Sequence, residues 1–174
     1  MHVFRPTAAE PHAFREVLGR FATGVTVVTI ATPDGPLGLT ANSFSSLSLD
    51  PPMVLWAPDK NSSRYQPFVE AEHFAIHILA ADQLDLARRF ARDGRPTQGL
   101  DWATGDTGVP VFTPCLARFE CRRAQVFDGG DHSIITGEVL GAALRNDDPD
   151  TAAVNAAGPL VFAMGRYGGF DPQD

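Results

Sequence analysis

The apolar positions of this chain change period several times, and each change marks a different element. Phe14, Val17, Leu18 and Phe21 recur at i, i+3, i+4 and i+7, one face of an amphipathic helix. Thr7 and Glu10 stand before it at capping-box spacing, Pro11 falls in its first turn, and Gly24 is its expected stop. Being short, with a mixed polar face, it is expected to pack on the core. Residues 25–31 read as a β-branched strand, Pro33-Asp34-Gly35-Pro36 as a turn, and 37–46 as the returning strand. Residues 53–57 predict another strand, and 61–71 a helix opened by Asn61, Ser62 or Ser63. In 73–79, Phe74, Ile76 and Ile78 alternate with His73, Ala75 and His77, which is strand periodicity. Asp82 is expected to cap a helix carrying Leu84, Leu86, Ala87 and Phe90. Residues 93–113 read as loop. Two long strands, 116–127 and 133–144, are joined across Asp128-Gly129-Gly130-Asp131; a loop over 145–158 and a last strand over 160–164 complete the pattern. Strands outnumber helices and short turns join them, so a mainly β chain is expected, an antiparallel sheet curling into a barrel with added helices. With no repeat or linker, residues 1–174 read as a single domain, with an arm at 1–9 and a tail at 165–174.

One stretch breaks the apolar pattern. Thr40-Ala41-Asn42-Ser43-Phe44-Ser45-Ser46 fills a strand with small hydroxyl and amide side chains and runs to Asp50-Pro51-Pro52. A strand buried on both faces reads as Val, Ile and Leu throughout. The segment alone admits two readings: a solvent-facing edge strand, or a surface of low bulk on which a flat ring with polar edges can lie.

Composition narrows the function classes. The net charge of -7 argues against sequence-independent nucleic-acid binding, which needs a basic stripe. A local cluster of cations can still bind an anion. The basic residues are 13 Arg and the single Lys60. Cys115 and Cys121 fit neither a C-x-x-C nor a zinc pattern, and both are expected as packed thiols in one strand region. No signal-like apolar stretch follows Met1 and no run approaches a membrane span, so a cytoplasmic protein is expected.

Three further clusters carry candidate chemistry. Asp59-Lys60-Asn61-Ser62-Ser63-Arg64 follows a strand and opens an expected helix; free N–H groups, two hydroxyls and two cations there suit a phosphate. An ordinary helix cap with solvated charges is the plainer account. Arg88-Arg89-Phe90-Ala91-Arg92 ends the second helix, where cations complement the dipole and one can reach the same phosphate. Gly129-Gly130-Asp131-His132 makes a tight turn in which Asp131 can orient an imidazole. Zinc ligand spacing, a nucleophile elbow, a P-loop and a Rossmann glycine pattern are all missing, which leaves a cofactor site of another kind.

Taken in order, these motifs resemble the flavin reductase-like, FMN-binding split-barrel family, and within it the reductase components of two-component flavin monooxygenases. The resemblance is carried by residues 14–29, by Gly38-Leu39-Thr40-Ala41-Asn42-Ser43-Phe44, Ser48-Leu49-Asp50-Pro51-Pro52 and Arg89-Phe90-Ala91. It continues in Gly130-Asp131-His132-Ser133-Ile134, Gly137-Glu138-Val139 and Pro159-Leu160-Val161-Phe162. It implies a six-stranded antiparallel split barrel, a homodimer, and flavin near the subunit interface. Thr40, Ala41, Asn42 and Ser43, joined by Ser46, would line the isoalloxazine. Lys60, Ser62, Ser63 and Arg64 would approach the phosphate, with Arg89 and Phe90 nearby. His132 would take the catalytic position, orienting the nicotinamide, and Arg166 and Tyr167 would neighbour the dinucleotide. Tyr65 stands where smaller or imidazole side chains are more usual in the family. The implied reaction is hydride transfer from NADH or NADPH to FMN or FAD, with reduced flavin passing transiently to a separate monooxygenase. The negative charge of Asp128 leans towards NADH. A flavoprotein that keeps its FMN and reduces another substrate, or a non-catalytic flavin-binding protein, are the alternatives.

Overall fold

A computed structural model describes residues 1, 3–7, 10–95, 100–145 and 158–171. Most of the expected loop over 145–158, part of that over 93–113 and the last residues of the tail lie outside these. The chain is mainly β, as expected. Seven antiparallel strands form the principal sheet: β2 (Thr26–Thr32), β3 (Gly35–Ala41), β4 (Ser45–Leu49), β5 (Pro52–Trp56), β6 (His73–Ile78), β9 (Ala117–Gly129) and β10 (His132–Leu144). Their order across it is β3-β2-β6-β9-β10-β5-β4. The sheet has seven strands where the resemblance implied six, because the polar run divides at a bend into β3 and β4.

That division dictates the curvature. β3 and β4 are the two edges of the sheet, yet only residues 42–44 separate them. Four residue steps span at most about 14 Å. Seven strands laid flat would put the edges about 29 Å apart. The sheet therefore curls until its edges meet at one corner, and the polar ribbon is that corner.

A small sheet of β1 (Thr23–Gly24), β11 (Leu160–Ala163) and β12 (Arg166–Gly169) covers one side, and the hairpin of β7 (Asp101–Thr104) and β8 (Pro110–Thr113) another. The helices are α1 (Pro11–Leu18), α2 (Tyr65–Glu70) and α3 (Leu84–Arg92). Strand β2 is buried on both faces. Val28 and Ile30 enter the cluster of Leu37, Val54, Trp56, Phe68, Phe74, Ile76 and Ile135, while Val27 joins Leu79, Phe90, Phe112 and Leu160 beneath α3. Gly38 lets α3 approach, since a Cβ there would meet the Phe90 ring at 2.3 Å. No helix among the described residues is long and apolar enough to cross a membrane.

Several expectations are corrected. Helix α1 buries none of its residues; Phe14 is 43% and Phe21 77% exposed, so the stripe faces outward instead of packing on the core. The helix ends at Gly19, not Gly24, and Thr7 contributes its carbonyl to the Glu10 N–H, not a side-chain cap. Asp82 does not cap α3; Gln83 Oε1 instead accepts the Ala80 N–H at the preceding turn. The expected loop over 93–113 contains the β7–β8 hairpin, whose Trp102 and Phe112 pack on Phe90. Strand β12 replaces the start of the expected tail; the two-residue turn Met164-Gly165, both at positive φ, returns the chain to β11. Cys115 precedes β9 and Cys121 lies within it. Both are free, and burial pushes the Cys121 thiol up to about 12, with Glu120 adding to the shift.

His77 is fully buried on β6. Its Nδ1 donates to the Val27 carbonyl at 3.1 Å, its Nε2 accepts the Phe112 N–H at 3.3 Å, and its ring stacks on Phe112. Both ring nitrogens are satisfied only in the neutral form, and burial holds the pKa at about 4, below the ordinary 6.5. The unfolded chain therefore takes up a proton that the folded chain refuses as pH falls from 6.5 towards 4. Stability is lost across that window, by about 3 kcal/mol in all. Urea denaturation at stepped pH should show the loss, and His77→Gln should flatten the slope whatever its cost at pH 7.

Candidate functional site

The corner where the sheet edges meet is held from three directions. From β3, the Thr40 hydroxyl donates to the Ala87 carbonyl of α3 at 2.7 Å. From the bend, Ser43 Oγ accepts the Ala57 N–H at 2.9 Å and donates to the Ala57 carbonyl at 3.0 Å. From below, the Arg64 guanidinium donates to the carbonyls of Gly38 (3.1 Å), Phe90 (2.6 Å) and Ala91 (2.9 Å), closing the C-terminal end of α3 onto β3. Partial burial lowers the Arg64 pKa, and Asp93 opposes the shift.

These hydroxyls, expected to face a ligand, face the protein. At Thr40 the ribbon turns its backbone outward instead. Gly38 uses its N–H for the Gly94 carbonyl and its own carbonyl for Arg64, so both point away from β2. Strand alternation then places the N–H and C=O of Thr40 on the same open edge. Thr40 and the exposed Asn42 line a cleft of about 150 Å³ with Val25, Ala91, Phe162 and Tyr167. Thr40, Asn42 and Tyr167 are expected here from the sequence. Val25, Ala91 and Phe162 are not, although all three lie in segments that carry the family resemblance.

The second half of the site is the β9–β10 hairpin tip. His132 Nδ1 lies 2.7 Å from Asp131, whose pKa is lowered by that hydrogen bond. Tyr65 OH is 2.6 Å from Ser133 Oγ, so Tyr65 braces the base of the hairpin. Lys60 Nζ donates to Asp128 and to the Gly130 carbonyl at 2.6 Å. The Lys60 hydrogen bond and charge lower the Asp128 pKa. Asp128 is thus neutralised by a partner, and its charge no longer argues for NADH over NADPH.

The expected phosphate cradle is only partly present. Residues 61–64 form turns, not the start of a helix, because Asp59 and Ser62 side chains capture the local backbone. The N–H groups of Asn61, Ser62, Arg64 and Tyr65 bond within residues 59–62. Ser63 is exposed, Ser62 half-buried, and Arg89 on α3 partly buried. Phe90 is fully buried under Gly38 and is a core residue, not a ligand contact. Ser46 lies on the exposed edge strand β4, and Arg166 is exposed beside the half-buried Tyr167. The structure therefore gathers Thr40, Asn42 and Tyr167 at the cleft, and Lys60, Asp131 and His132 at the tip. The segment 57–60 bridges the two groups. No group of metal-ligating side chains occurs among the described residues.

A family model described as flavin reductase like domain matches residues 18–171. The chain is 55% identical over 172 residues to FMN reductase (NADH) SmoA of Agrobacterium fabrum, covering 99% of this chain and 93% of that one. It is 36% identical to the flavin-dependent monooxygenase reductase subunit HsaB of Mycobacterium tuberculosis, covering 94% and 84%. Among solved structures, NADH:FAD oxidoreductase SgcE6 of Streptomyces globisporus superposes with a TM-score of 0.84 at 34% identity, covering 99% and 100%.

Ser43→Ala leaves the partly buried Ala57 N–H and carbonyl without their partner and should cost about 1–3 kcal/mol. Ser45→Ala removes an exposed hydroxyl that bonds only the adjacent Ser46 carbonyl. Urea denaturation of the two variants should separate them clearly, with Ser45→Ala close to the parent.

Proposed function

Because the chain belongs to the flavin reductase-like family, we propose that it transfers a hydride from NADH to FMN or FAD and supplies the reduced flavin to a separate monooxygenase. The observation that carries this reading is the outward backbone edge of the ribbon beside a shallow cleft. Side chains there are small or turned inward, so a planar ring can lie close to Thr40, Ala41, Asn42 and Ser43. The donors and acceptors on that edge match the polar rim of an isoalloxazine. In this reading Ser62, Ser63 and Arg89 would meet the flavin phosphate, and Tyr167 and Arg166 the dinucleotide. The residues therefore fit the cofactor that the relatives' names give.

Bound flavin supplies the two-electron acceptor and the nicotinamide supplies the hydride. The protein supplies orientation. Thr40 offers an N–H donor where negative charge develops at the ring edge, a favourable electrostatic placement. His132, fixed by Asp131, presents its Nε2 to the nicotinamide carboxamide and sets the stacking position. No proton transfer by His132 is required. The choice of NADH follows the names of SmoA and SgcE6, and the monooxygenase partner follows that of HsaB.

A second copy of the chain completes the site in this reading. A cleft of about 150 Å³ is smaller than the roughly 300–1,000 Å³ of ligand pockets. The Gly19 carbonyl at the end of α1 accepts the Met164 N–H at 2.7 Å, which hangs α1 on the β11–β12 turn. The exposed apolar stripe of α1 thus stands on the small sheet that lines the cleft, and a homodimer covering it supplies the missing wall. A nicotinamide-dependent reaction of this kind suits the cytoplasm.

Purified protein should oxidise NADH when FMN or FAD is added, followed at 340 nm. A folded protein inactive with both flavins would falsify the assignment. His132→Ala should raise the KM for NADH by about two- to tenfold, the loss of one orienting hydrogen bond, with the flavin KM little changed.

A further inference from the structure

We propose that Lys60 is a positioning residue for His132, clasping the β9–β10 hairpin tip through Asp128 and Gly130, and not a ligand of the flavin phosphate. The inference rests on the functional reading above and assigns the lone lysine a different task. Two of its three ammonium donors are already committed, to Asp128 and to the Gly130 carbonyl. Asp131, whose carbonyl accepts the Lys60 N–H, also feels the charge of that ammonium. A phosphate at Lys60 would therefore meet two carboxylates as well as one cation.

The tip needs such a clasp. Residues 127–131 are all exposed, and Gly129 and Gly130 give the turn no side chain to pack, with Gly130 at φ +83°. Besides the Tyr65–Ser133 contact, segment 58–60 ties the tip to the rest of the protein. The Ser133 N–H donates to the Pro58 carbonyl at 3.2 Å, Asp59 bridges His132, and the Lys60 N–H donates to the Asp131 carbonyl at 2.9 Å. The Lys60 side chain, 31% exposed, then folds back over the turn to reach Asp128, which is 82% exposed. Backbone and side chain of one residue thus hold both sides of a turn whose next residue is His132.

The test uses the whole protein with Lys60→Met, Asp128→Asn, the double variant and Lys60→Arg. An exposed ion pair is worth at most about fivefold in an equilibrium. Lys60→Met and Asp128→Asn should each raise the KM for NADH about three- to fivefold and leave the flavin KM within about twofold. The double variant should be no worse than either single, and Lys60→Arg should restore the parent value. Hydrogen exchange without ligand should quicken at the Lys60 and Ser133 amides in both single variants. A raised flavin KM in Lys60→Met with Asp128→Asn unaffected overturns the proposal in favour of a phosphate ligand. Unchanged amide exchange in both variants overturns it as well, as does faster exchange with an unchanged NADH KM. Should the parent protein oxidise no NADH with either flavin, the functional reading itself fails, while amide exchange still judges the clasp.

Discussion

Both halves of the site depend on one hydrogen-bonded strut, residues 57–60. β5 lies between β4 and β10 in the sheet, so the chain leaving β5 has the ribbon on one side and the hairpin on the other. The pairing of Trp56 with Ile135 fixes the partners of the next residues, because each step forward on one strand is a step back on its antiparallel neighbour. Carried past the end of β5, that register sets Pro58 opposite Ser133, Asp59 opposite His132 and Lys60 opposite Asp131. These are the contacts observed. Ala57, the first residue of the strut, faces the other way and grips Ser43. Four residues of backbone thereby join the ribbon to the residue paired with His132.

Cations act in this acidic chain chiefly as fasteners. Arg64 closes the end of α3, where carbonyls lack helical partners. Arg95 donates to the Asp34, Gly35 and Pro36 carbonyls and to the Thr32 hydroxyl, locking the β2–β3 turn. Arg122 pairs with Glu138 across β9 and β10, and Lys60 holds the hairpin tip. Each of these groups satisfies carbonyls or carboxylates that the fold itself creates. Counting basic residues near an expected phosphate site therefore overstates the charge available to a ligand.

Much of this is legible in the residues. The period-2 pattern of β6 and the β-branched run of β2 predict strands, and the glycine pair of the hairpin predicts a turn. The ribbon's hydroxyls draw attention to this corner, but they face the protein. Thr40 and Ser43 are conspicuous because they tie the corner together, and the surface proposed for the ligand is the backbone edge at Thr40. Side-chain direction is set by pairing: Ser43 finds Ala57 because the β4–β5 register, with Ser45 opposite Leu55, carried back two residues sets the two opposite each other. The same limit applies to α1, whose stripe has helical period but does not reveal which surface covers it. Asn61, Ser62 and Ser63 read as helix openers, yet Asp59 and Ser62 capture the backbone first and delay α2 to Tyr65. Local competition between equally good caps is not decided by spacing alone.

The proposed reaction makes use of this inward turning. With Thr40 and Ser43 bonded to the protein, a flavin on the ribbon gains few side-chain hydrogen bonds, and its recognition falls to a backbone edge, Asn42 and a shallow cleft. Few contacts mean modest affinity, whatever the quality of the stacking. A reductase whose reduced flavin must reach another protein requires that, since tight binding of the product would slow its release. In the proposed reaction, the bonds that close the barrel corner would therefore also limit the hold on the flavin.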